Sequence, residues 1–275
     1  MQWILYADDA VLFCKSPEEA QELLTIIDST LKRFGLTTSY LKTKTQVFND
    51  VELAQKKSLF SIDSHEIENV TEFTYLGQVF TTAEGKCFTD HRIARATAKF
   101  NELRNALCDT DINLKTRRKL LEACVRSRLT YGLQACYPKE NEMKKLEGCW
   151  SSLLRTMVKG GWKRKDPEDD GEEEYRLLYS NEKVQNIIKS VPLRNFIEAQ
   201  YLRYIGHVCR SSNRSLTKIM LFSQPSRRHL RDPWIHISNL LGISIDQAKT
   251  TTQTRSEFAA LIRQRTSALP QRSTR

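Results

Sequence analysis

Two adjacent aspartates near the start of the 275-residue chain carry the side chains best suited to chemistry. Asp8 and Asp9 lie between the apolar stretches 3–7 and 10–13, which predict two short strands joined by a tight turn. Two neighbouring carboxylates at the rim of an apolar sheet need a positive partner, and a hard divalent cation bound by carboxylate oxygens provides one. The pattern therefore predicts a magnesium site, while a solvated Asp-Asp turn is the simpler alternative.

The elements that follow are those that must hold this turn. Ser16-Pro17-Glu18-Glu19 combines a Ser N-cap, a Pro at the first helical position and a Glu three residues after the Ser, which predicts a helix start. Gly35 predicts the end of this helix about eighteen residues later. Its apolar positions are Ala20, Leu23, Leu24, Ile27, Leu31 and Phe34. Residues 36–48 have a strand-like composition, with Lys42 and Lys44 near the end of a turn or strand.

The pattern then changes from short strands to helices. A short strand is expected at 59–62, and residues 73–80 predict a β-hairpin whose Gly77 permits a bend. From there to residue 158 the pattern becomes helical, with three amphipathic stripes typical of a small bundle. The stripes are Ile93, Ala96, Phe100, Leu103 and Leu107, then Leu120, Leu121, Cys124, Val125, Leu129 and Tyr131, and finally Met143, Leu146, Trp150, Leu153, Leu154 and Met157.

The order of these features resembles the palm and thumb of a reverse transcriptase of the non-LTR retrotransposon (LINE-type) group. The resemblance rests on the following parts: Tyr6-Ala7-Asp8-Asp9, the capped helix, Lys42-Thr43-Lys44, residues 73–77, and a helical bundle with Leu129-Thr130-Tyr131-Gly132. It implies a partial palm at 1–86 and a thumb-like bundle at 87–158. The implied fold class is α+β, with a truncated antiparallel palm sheet and a packed helix, a three-helix thumb and a mostly helical tail.

The resemblance also implies roles for the matching positions. Asp8 would be the main metal-ligating carboxylate with Asp9 beside it, and Tyr6 and Ala7 would lie near the primer terminus and incoming nucleotide. The lysines implied to approach the leaving phosphate are Lys42 and Lys44. The implied primer grip consists of Phe73, Tyr75, Leu76 and Gly77. Two magnesium ions would stabilise the attacking 3′-hydroxyl and the leaving pyrophosphate, and the partners would be an RNA template, a DNA primer and a deoxynucleoside triphosphate.

One departure from the family pattern concerns the residues before Tyr6. A complete palm has a further metal-binding aspartate on an earlier strand, together with a fingers region, whereas only five residues precede Tyr6 and none is acidic. Neither Asp28 nor Asp63 is expected to replace that aspartate, because side chains at a helix and a loop position would not point at the same metal site. Ser39 stands where the family often has Asn. We therefore expect the C-terminal portion of a reverse transcriptase that does not polymerise DNA alone.

Charge is distributed unevenly along the chain. The net charge of +10 divides into −2 for residues 1–174 and +12 for residues 175–275, which favours a polyanionic partner for the tail. The Gly-rich, charge-segregated residues 159–175 predict a flexible linker before a basic helical region at 176–275. The tail also resembles the region after the thumb in some LINE-type elements. Its candidate nucleic-acid contacts are Arg227, Arg228, Arg231 and Trp234.

Cysteine and hydropathy patterns narrow the class of protein. The seven cysteines include no Cys-x-x-Cys pair, and no apolar run resembles a membrane span or a signal sequence. A soluble intracellular protein with reduced core cysteines and no membrane partner is expected. Two other interpretations stay open. One is a non-catalytic nucleic-acid-binding remnant that keeps the thumb and tail. The other is an intron maturase, which shares the Tyr-Ala-Asp-Asp palm but has a tail that this chain does not resemble.

Overall fold

The structure is a computed structural model that describes residues 3–82, 88–160, 162–164, 175–222 and 232–267. The chain divides into two compact units, Met1–Phe88 and Thr89–Arg275. The first unit combines short strands with helices, whereas the second is mainly helical. The predicted α+β class is therefore confirmed.

The first unit begins with a β-hairpin. Strands β1 (Trp3–Tyr6) and β2 (Asp9–Leu12) pair antiparallel and form a separate two-stranded sheet. The predicted strand-turn-strand is therefore confirmed. Its apolar side chains are only partly covered, since Trp3 and Leu5 expose 57% and 59% of their surface.

Helix α1 (Pro17–Arg33) follows the hairpin and has both predicted ends. At its start the Ser16 hydroxyl accepts a hydrogen bond from the Glu19 N–H at 3.3 Å. At its end Gly35 has φ = 74° and donates to the Lys32 carbonyl at 3.1 Å, a left-handed termination that glycine adopts without strain. These local bonds mark both ends of the helix.

One face of α1 packs on a three-stranded sheet. Its strands, in the spatial order β3-β5-β4, are β3 (Lys44–Thr45), β4 (Ser58–Ile62) and β5 (His65–Asn69). Strand β3 is parallel to β5, and β4 is antiparallel to it. Leu24 of α1 packs with Ile62 and Ile67 in a small buried cluster. The Gln21 amide donates to the Ser61 carbonyl at 2.9 Å and accepts from the Ser61 N–H at 3.0 Å, which fixes α1 along β4.

The segment predicted to be strand-like, residues 36–48, is mostly a loop. Within it only Lys44 and Thr45 pair with the sheet. Before them the N–H groups of Lys42 and Thr43 donate to the Ser39 carbonyl, and the Thr43 hydroxyl donates to it at 2.8 Å. The prediction was wrong because these local turn bonds replace the bonds of a strand ladder.

A short helix and a second hairpin complete the unit. Their bounds are α2 (Val51–Gln55), β6 (Glu72–Tyr75) and β7 (Gln78–Thr81). The Asp50 carboxylate caps α2 by accepting from the Leu53 N–H at 3.0 Å. Strands β6 and β7 pair antiparallel through a two-residue turn at Leu76 and Gly77, whose φ angles are 47° and 74°. The short strand and the hairpin predicted for this region are confirmed.

The second unit opens with the predicted helical bundle. Its helices are α3 (Phe88–Glu102), α4 (Arg104–Cys108), α5 (Leu114–Leu121), α6 (Ser127–Thr130) and α7 (Glu140–Met157). Only Leu103 separates α3 from α4, and a π-helical turn at Glu122–Arg126 joins α5 to α6. The three predicted stripes are thus present except at Tyr131, which follows α6 in a turn and is 49% exposed, and Phe100, Leu121 and Trp150 lie at most 1% exposed in the core.

Helices also dominate the tail. The remaining elements are β8 (Trp162–Arg164), β9 (Tyr175–Leu177), α8 (Asn181–Ile188), α9 (Leu193–Arg210), α10 (Leu216–Phe222), α11 (Pro233–Leu241), α12 (Ile245–Gln253) and α13 (Arg255–Ser267). Strands β8 and β9 pair antiparallel. Helix α13 crosses α9 closely, since a Cβ added at Gly206 would lie 2.5 Å from the Phe258 ring. Glycine is therefore required at this crossing.

Polar contacts join the bundle to the tail. Arg194 of α9 donates to the carboxylates of Glu140 and Glu147 on α7 at 2.8 and 2.9 Å. Arg118 of α5 donates to the Lys189 carbonyl at the end of α8, at 2.8 Å. The helices on both sides of the predicted linker thus belong to one compact unit. The boundary predicted near residues 159–175 stays a prediction.

The described cysteines are all free thiols. Cys209 is buried as predicted, whereas Cys136 is exposed. The core prediction is wrong for Cys136, because it lies in a bend beyond α6 rather than on a packed helix face. Within the described ranges no helix has the length and apolar character needed to cross a bilayer.

Candidate functional site

The first hairpin presents the two aspartates together. Tyr6 and Asp9 form the last pair of its ladder, so Ala7 and Asp8 are the two turn residues. Ala7 has φ = 52°, a left-handed conformation that such a turn needs and that strains any residue except glycine. All four residues are exposed. The local sequence therefore delivers two adjacent carboxylates to the accessible end of a two-stranded sheet.

Two exposed carboxylates of this kind suit a hard cation. Magnesium is commonly held by one or two carboxylates, with waters and substrate phosphates completing its octahedron. Asp8 and Asp9 have the donor atoms and the accessibility for that role, so they fit an open magnesium site. Across the described stretches no group of three His, Cys, Asp or Glu side chains is placed to hold a metal.

Two other carboxylates of the first unit share a lysine. Lys32 Nζ lies 2.8 Å from the Asp28 carboxylate and 2.5 Å from that of Asp63. The hydrogen bond from Lys32 holds the pKa of Asp28 below its usual range, and the bonds to Asp28 and Asp63 raise the pKa of Lys32. This triad ties the last turn of α1 to the turn after β4, and it gives both carboxylates a structural task.

The two candidate lysines have different surroundings. Lys44 lies on β3 opposite Glu68 of β5, and its Nζ is 2.5 Å from the Glu68 carboxylate. Lys42 lies in the preceding turn and is exposed. Lys44 is therefore engaged in an ion pair, whereas the Lys42 side chain is accessible.

The candidate primer-contact hairpin is β6–β7. Phe73 and Tyr75 alternate along β6 and are half-buried, and Phe73 lies opposite Phe80. The turn residues are Leu76 and Gly77. Gln46, next to β3, donates from Nε2 to the Phe80 carbonyl at 3.2 Å and so links the lysine segment to this hairpin. Sequence reasoning missed Gln46, because a lone glutamine in a loop gives no sign of its partner.

The candidate residues lie on three different sheets of the unit. The aspartates are on β1–β2, Lys44 is on the three-stranded sheet, and the primer-contact residues are on β6–β7. Residues 6–9 and residues 73–77 are therefore each positioned by a local hairpin of their own.

The candidate contacts in the tail divide between described and undescribed residues. Arg227, Arg228 and Arg231 lie outside the described residues. Trp234 lies in the first turn of α11, where the Asp232 carboxylate accepts from its N–H at 2.8 Å. Its ring is 4.9 Å from that of Phe222 and packs against the buried cluster of the tail.

Comparisons with known proteins agree with this arrangement. Residues 1–80, which carry the aspartate turn, both lysines and the candidate primer-contact residues, match the family model described as reverse transcriptase (RNA-dependent DNA polymerase). A transposon-derived protein of Caenorhabditis elegans is 27% identical over 223 residues, which are 80% of this chain and 76% of that protein. No solved structure matches. The family implies dependence on a divalent metal and binding of a nucleic-acid template and primer. Residues 1–80 are thus reverse-transcriptase-like, and the chain is similar to a protein derived from a transposon.

Proposed function

We propose that the chain is part of an RNA-directed DNA polymerase of a non-LTR, LINE-type retrotransposon, and that Asp8 and Asp9 belong to its two-magnesium site for template-primed DNA synthesis. The observation that carries this proposal is the placement of both carboxylates at an exposed turn within the matched residues 1–80. The similarity to a transposon-derived protein extends well beyond those residues and supports an origin in a mobile element.

Each candidate residue has a task in this proposal. Magnesium held by Asp8 and Asp9 supplies charge stabilisation for the attacking 3′-hydroxyl and the leaving pyrophosphate. Tyr6 is 62% exposed beside the carboxylates, so its ring offers a surface to the primer terminus or the incoming nucleotide. Lys42 offers an accessible positive charge to a phosphate. The hairpin residues that would orient the primer are Phe73, Tyr75, Leu76 and Gly77.

We expect the chain to be inactive as a polymerase by itself. A two-metal site needs enough carboxylate oxygens to bridge and orient both ions, and the resemblance to a complete palm implies a third aspartate besides Asp8 and Asp9, so we expect a further acidic ligand to come from another polypeptide segment. Phosphoryl transfer depends mainly on positioning and electrostatic stabilisation, and an incomplete set of ligands therefore removes most of the rate.

Primer extension tests the proposal. The full chain is incubated with an RNA template, an annealed DNA primer, deoxynucleoside triphosphates and Mg²⁺, with and without a palm-and-fingers polypeptide from a related element. We expect extension only with the added polypeptide, and we expect Asp8→Asn to reduce it by roughly three orders of magnitude, as for loss of a preorganised electrostatic group. Glu66→Gln, which alters an exposed carboxylate on β5, is the matched control and leaves extension unchanged.

The possible outcomes separate the parts of the proposal. Mg²⁺-dependent extension by the chain alone refutes the expected inactivity. Equal extension by the wild-type chain and Asp8→Asn refutes the assignment of the metal site.

A non-catalytic nucleic-acid-binding protein is a second candidate function. The distribution of buried side chains favours it, because the bundle and the tail form one well-packed unit while the aspartate hairpin is mostly exposed. In that case RNA binding persists in Asp8→Asn, and no added polypeptide restores extension. With either function, the proposed contacts outside residues 1–80 include Arg227, Arg228, Arg231 and Trp234.

A further inference from the structure

The acidic residues of the tail are almost all used by the fold itself. In residues 178–222 and 232–265 there are five of them. Four stand at helix starts, where a negative charge or a carboxylate cap stabilises the helix: Glu182 of α8, Asp232 of α11, Asp246 of α12 and Glu257 of α13. The fifth, Glu198, accepts a hydrogen bond from the Tyr137 hydroxyl at 3.4 Å.

The basic residues of the tail are not neutralised to the same extent. Arg194 pairs with α7, and Lys249 lies 3.9 Å from Asp246. Arg203 and Arg214 are exposed, and no acidic side chain in the described tail pairs with either of them. The positive charge of this part of the surface is therefore available to a partner.

Helix α9 collects part of this charge on one face. Gln200, Arg203 and His207 are exposed at helical spacing, about one turn or 5.4 Å apart along the axis. Arg214 is exposed in the turn that follows the helix, seven residues after His207. We name Gln200, Arg203, His207 and Arg214 the α9 ridge. It carries no acidic and no large apolar side chain.

Two contacts hold the backbone that carries the α9 ridge. On the buried side of α9, Gly206 packs directly against the Phe258 ring of α13. At its end, Lys218 Nζ donates to the carbonyls of Cys209 and Ser211 at 2.6 and 3.0 Å. The lysine caps the helix and fixes the start of the loop that carries Arg214. A preorganised backbone at a binding surface lowers the entropy that is lost when a ligand binds.

We propose that the α9 ridge is a contact site for the phosphate backbone of a nucleic acid, separate from the aspartate turn of the first unit. Guanidinium groups suit phosphates because they donate hydrogen bonds in a planar fork. Helix α9 exposes no large apolar side chain, whereas a helix at a membrane surface needs an exposed apolar face, so α9 itself favours a nucleic acid over a membrane. The inference deepens the proposed function and rests on its nucleic-acid partner, but it does not require polymerase activity.

Salt-dependent RNA binding by the full chain tests the α9 ridge. Fluorescence anisotropy with a labelled single-stranded RNA compares the wild-type chain with Arg203→Gln/Arg214→Gln over a series of salt concentrations. We expect about tenfold weaker binding at moderate salt and a slope of log K against log salt that is smaller by about 1.4, because each lost phosphate contact releases about 0.7 fewer counterions.

The matched control is Lys56→Gln/Lys57→Gln, which removes the same charge from exposed positions of the first unit. It is expected to change binding less than twofold, and all variants are expected to melt at the wild-type temperature. Unchanged affinity and slope in the ridge variant overturns the proposal, as does an equal loss in the control. Ridge-dependent binding to phosphatidylserine vesicles without RNA binding also overturns it. These readouts are independent of primer extension, so each proposal can fail without the other.

Discussion

The two units of the chain differ most in how much apolar surface they bury. Among the described residues, three buried hydrophobic side chains lie in the first unit and twenty-seven in the second. The first unit instead exposes large apolar side chains, including Trp3, Leu5 and Phe34. Buried apolar area is the main favourable term in folding, so we expect the first unit to be the less stable of the two. The candidate catalytic residues therefore lie in the unit with fewer buried apolar side chains, and the basic surface lies in the unit with more of them.

A large-to-small substitution in the core of the second unit is expected to have the largest effect and tests the difference in burial between the units. Trp150→Ala removes a side chain that is 1% exposed in the bundle. We expect a loss of about 3–5 kcal/mol of unfolding free energy, which is typical of large-to-small changes at buried aromatic positions. Urea titration with hydrogen exchange measures it. Because the bundle and tail share one core, protection is expected to fall together in α7 and α9. Loss confined to α7 would show that the tail folds separately.

Lowering the pH is expected to change the stability of the two units differently, with an effect of intermediate size. The pKa of Asp28 is lowered in the folded protein, so ionised Asp28 stabilises the first unit at any pH above the usual pKa of an aspartate. This stabilisation is lost as the pH falls toward and below about 4. Burial raises the pKa of Glu198 in the second unit, so ionising it costs stability as the pH rises. Acidification from pH 7 to 4 therefore weakens the first unit relative to the second.

Hydrogen exchange at several pH values, followed separately for α1 and α9, measures this difference. Asp28→Asn is expected to flatten the acid response of α1, and Glu198→Gln is expected to increase the protection of α9 at neutral pH. Identical pH profiles for the two helices would contradict the assignment.

The smallest expected effect is at the aspartate turn. Ala7→Gly relieves the left-handed strain at φ = 52°, at the cost of a more flexible unfolded chain. We expect a net gain of about 0.5 kcal/mol, seen as slower exchange at the amides of β1 and β2. Ala10→Gly, on the adjacent strand, is the matched control and is expected to weaken the hairpin. A loss of protection in Ala7→Gly would show that flexibility outweighs strain at this turn.

Sequence reasoning succeeded where local bonds determine structure. The cap at Ser16, the termination at Gly35 and the turn at Ala7 and Asp8 are each set by neighbours within a few residues. It failed for residues 36–48, because a loop held by bonds to the Ser39 carbonyl has the same composition as a strand.

Contacts between residues far apart in the chain could not be predicted from the sequence either. Nothing at Arg194 indicates that it pairs with Glu140 and Glu147 more than forty residues earlier. Similarly, a pattern of exposed arginines does not reveal that the nearby acids are engaged at helix starts. The roles predicted for residues 6–9, for Lys42 and Lys44 and for the β6–β7 residues all stay predictions, since hairpin geometry positions side chains without identifying what they bind.

The hydrogen bond from Arg118 to the Lys189 carbonyl bears on which insertions and substitutions the chain can tolerate. Because side chains hold α5 against α8 and α7 against α9, the covalent connection through residues 165–174 is not needed to keep those helices together. Lengthening such a connection costs only about 0.6 kcal/mol for each doubling of its length. Insertions there are expected to accumulate in related elements without loss of the packed unit, whereas a change at Arg118 removes the donor to the Ile188 and Lys189 carbonyls and is expected to weaken the packing of α5 on α8.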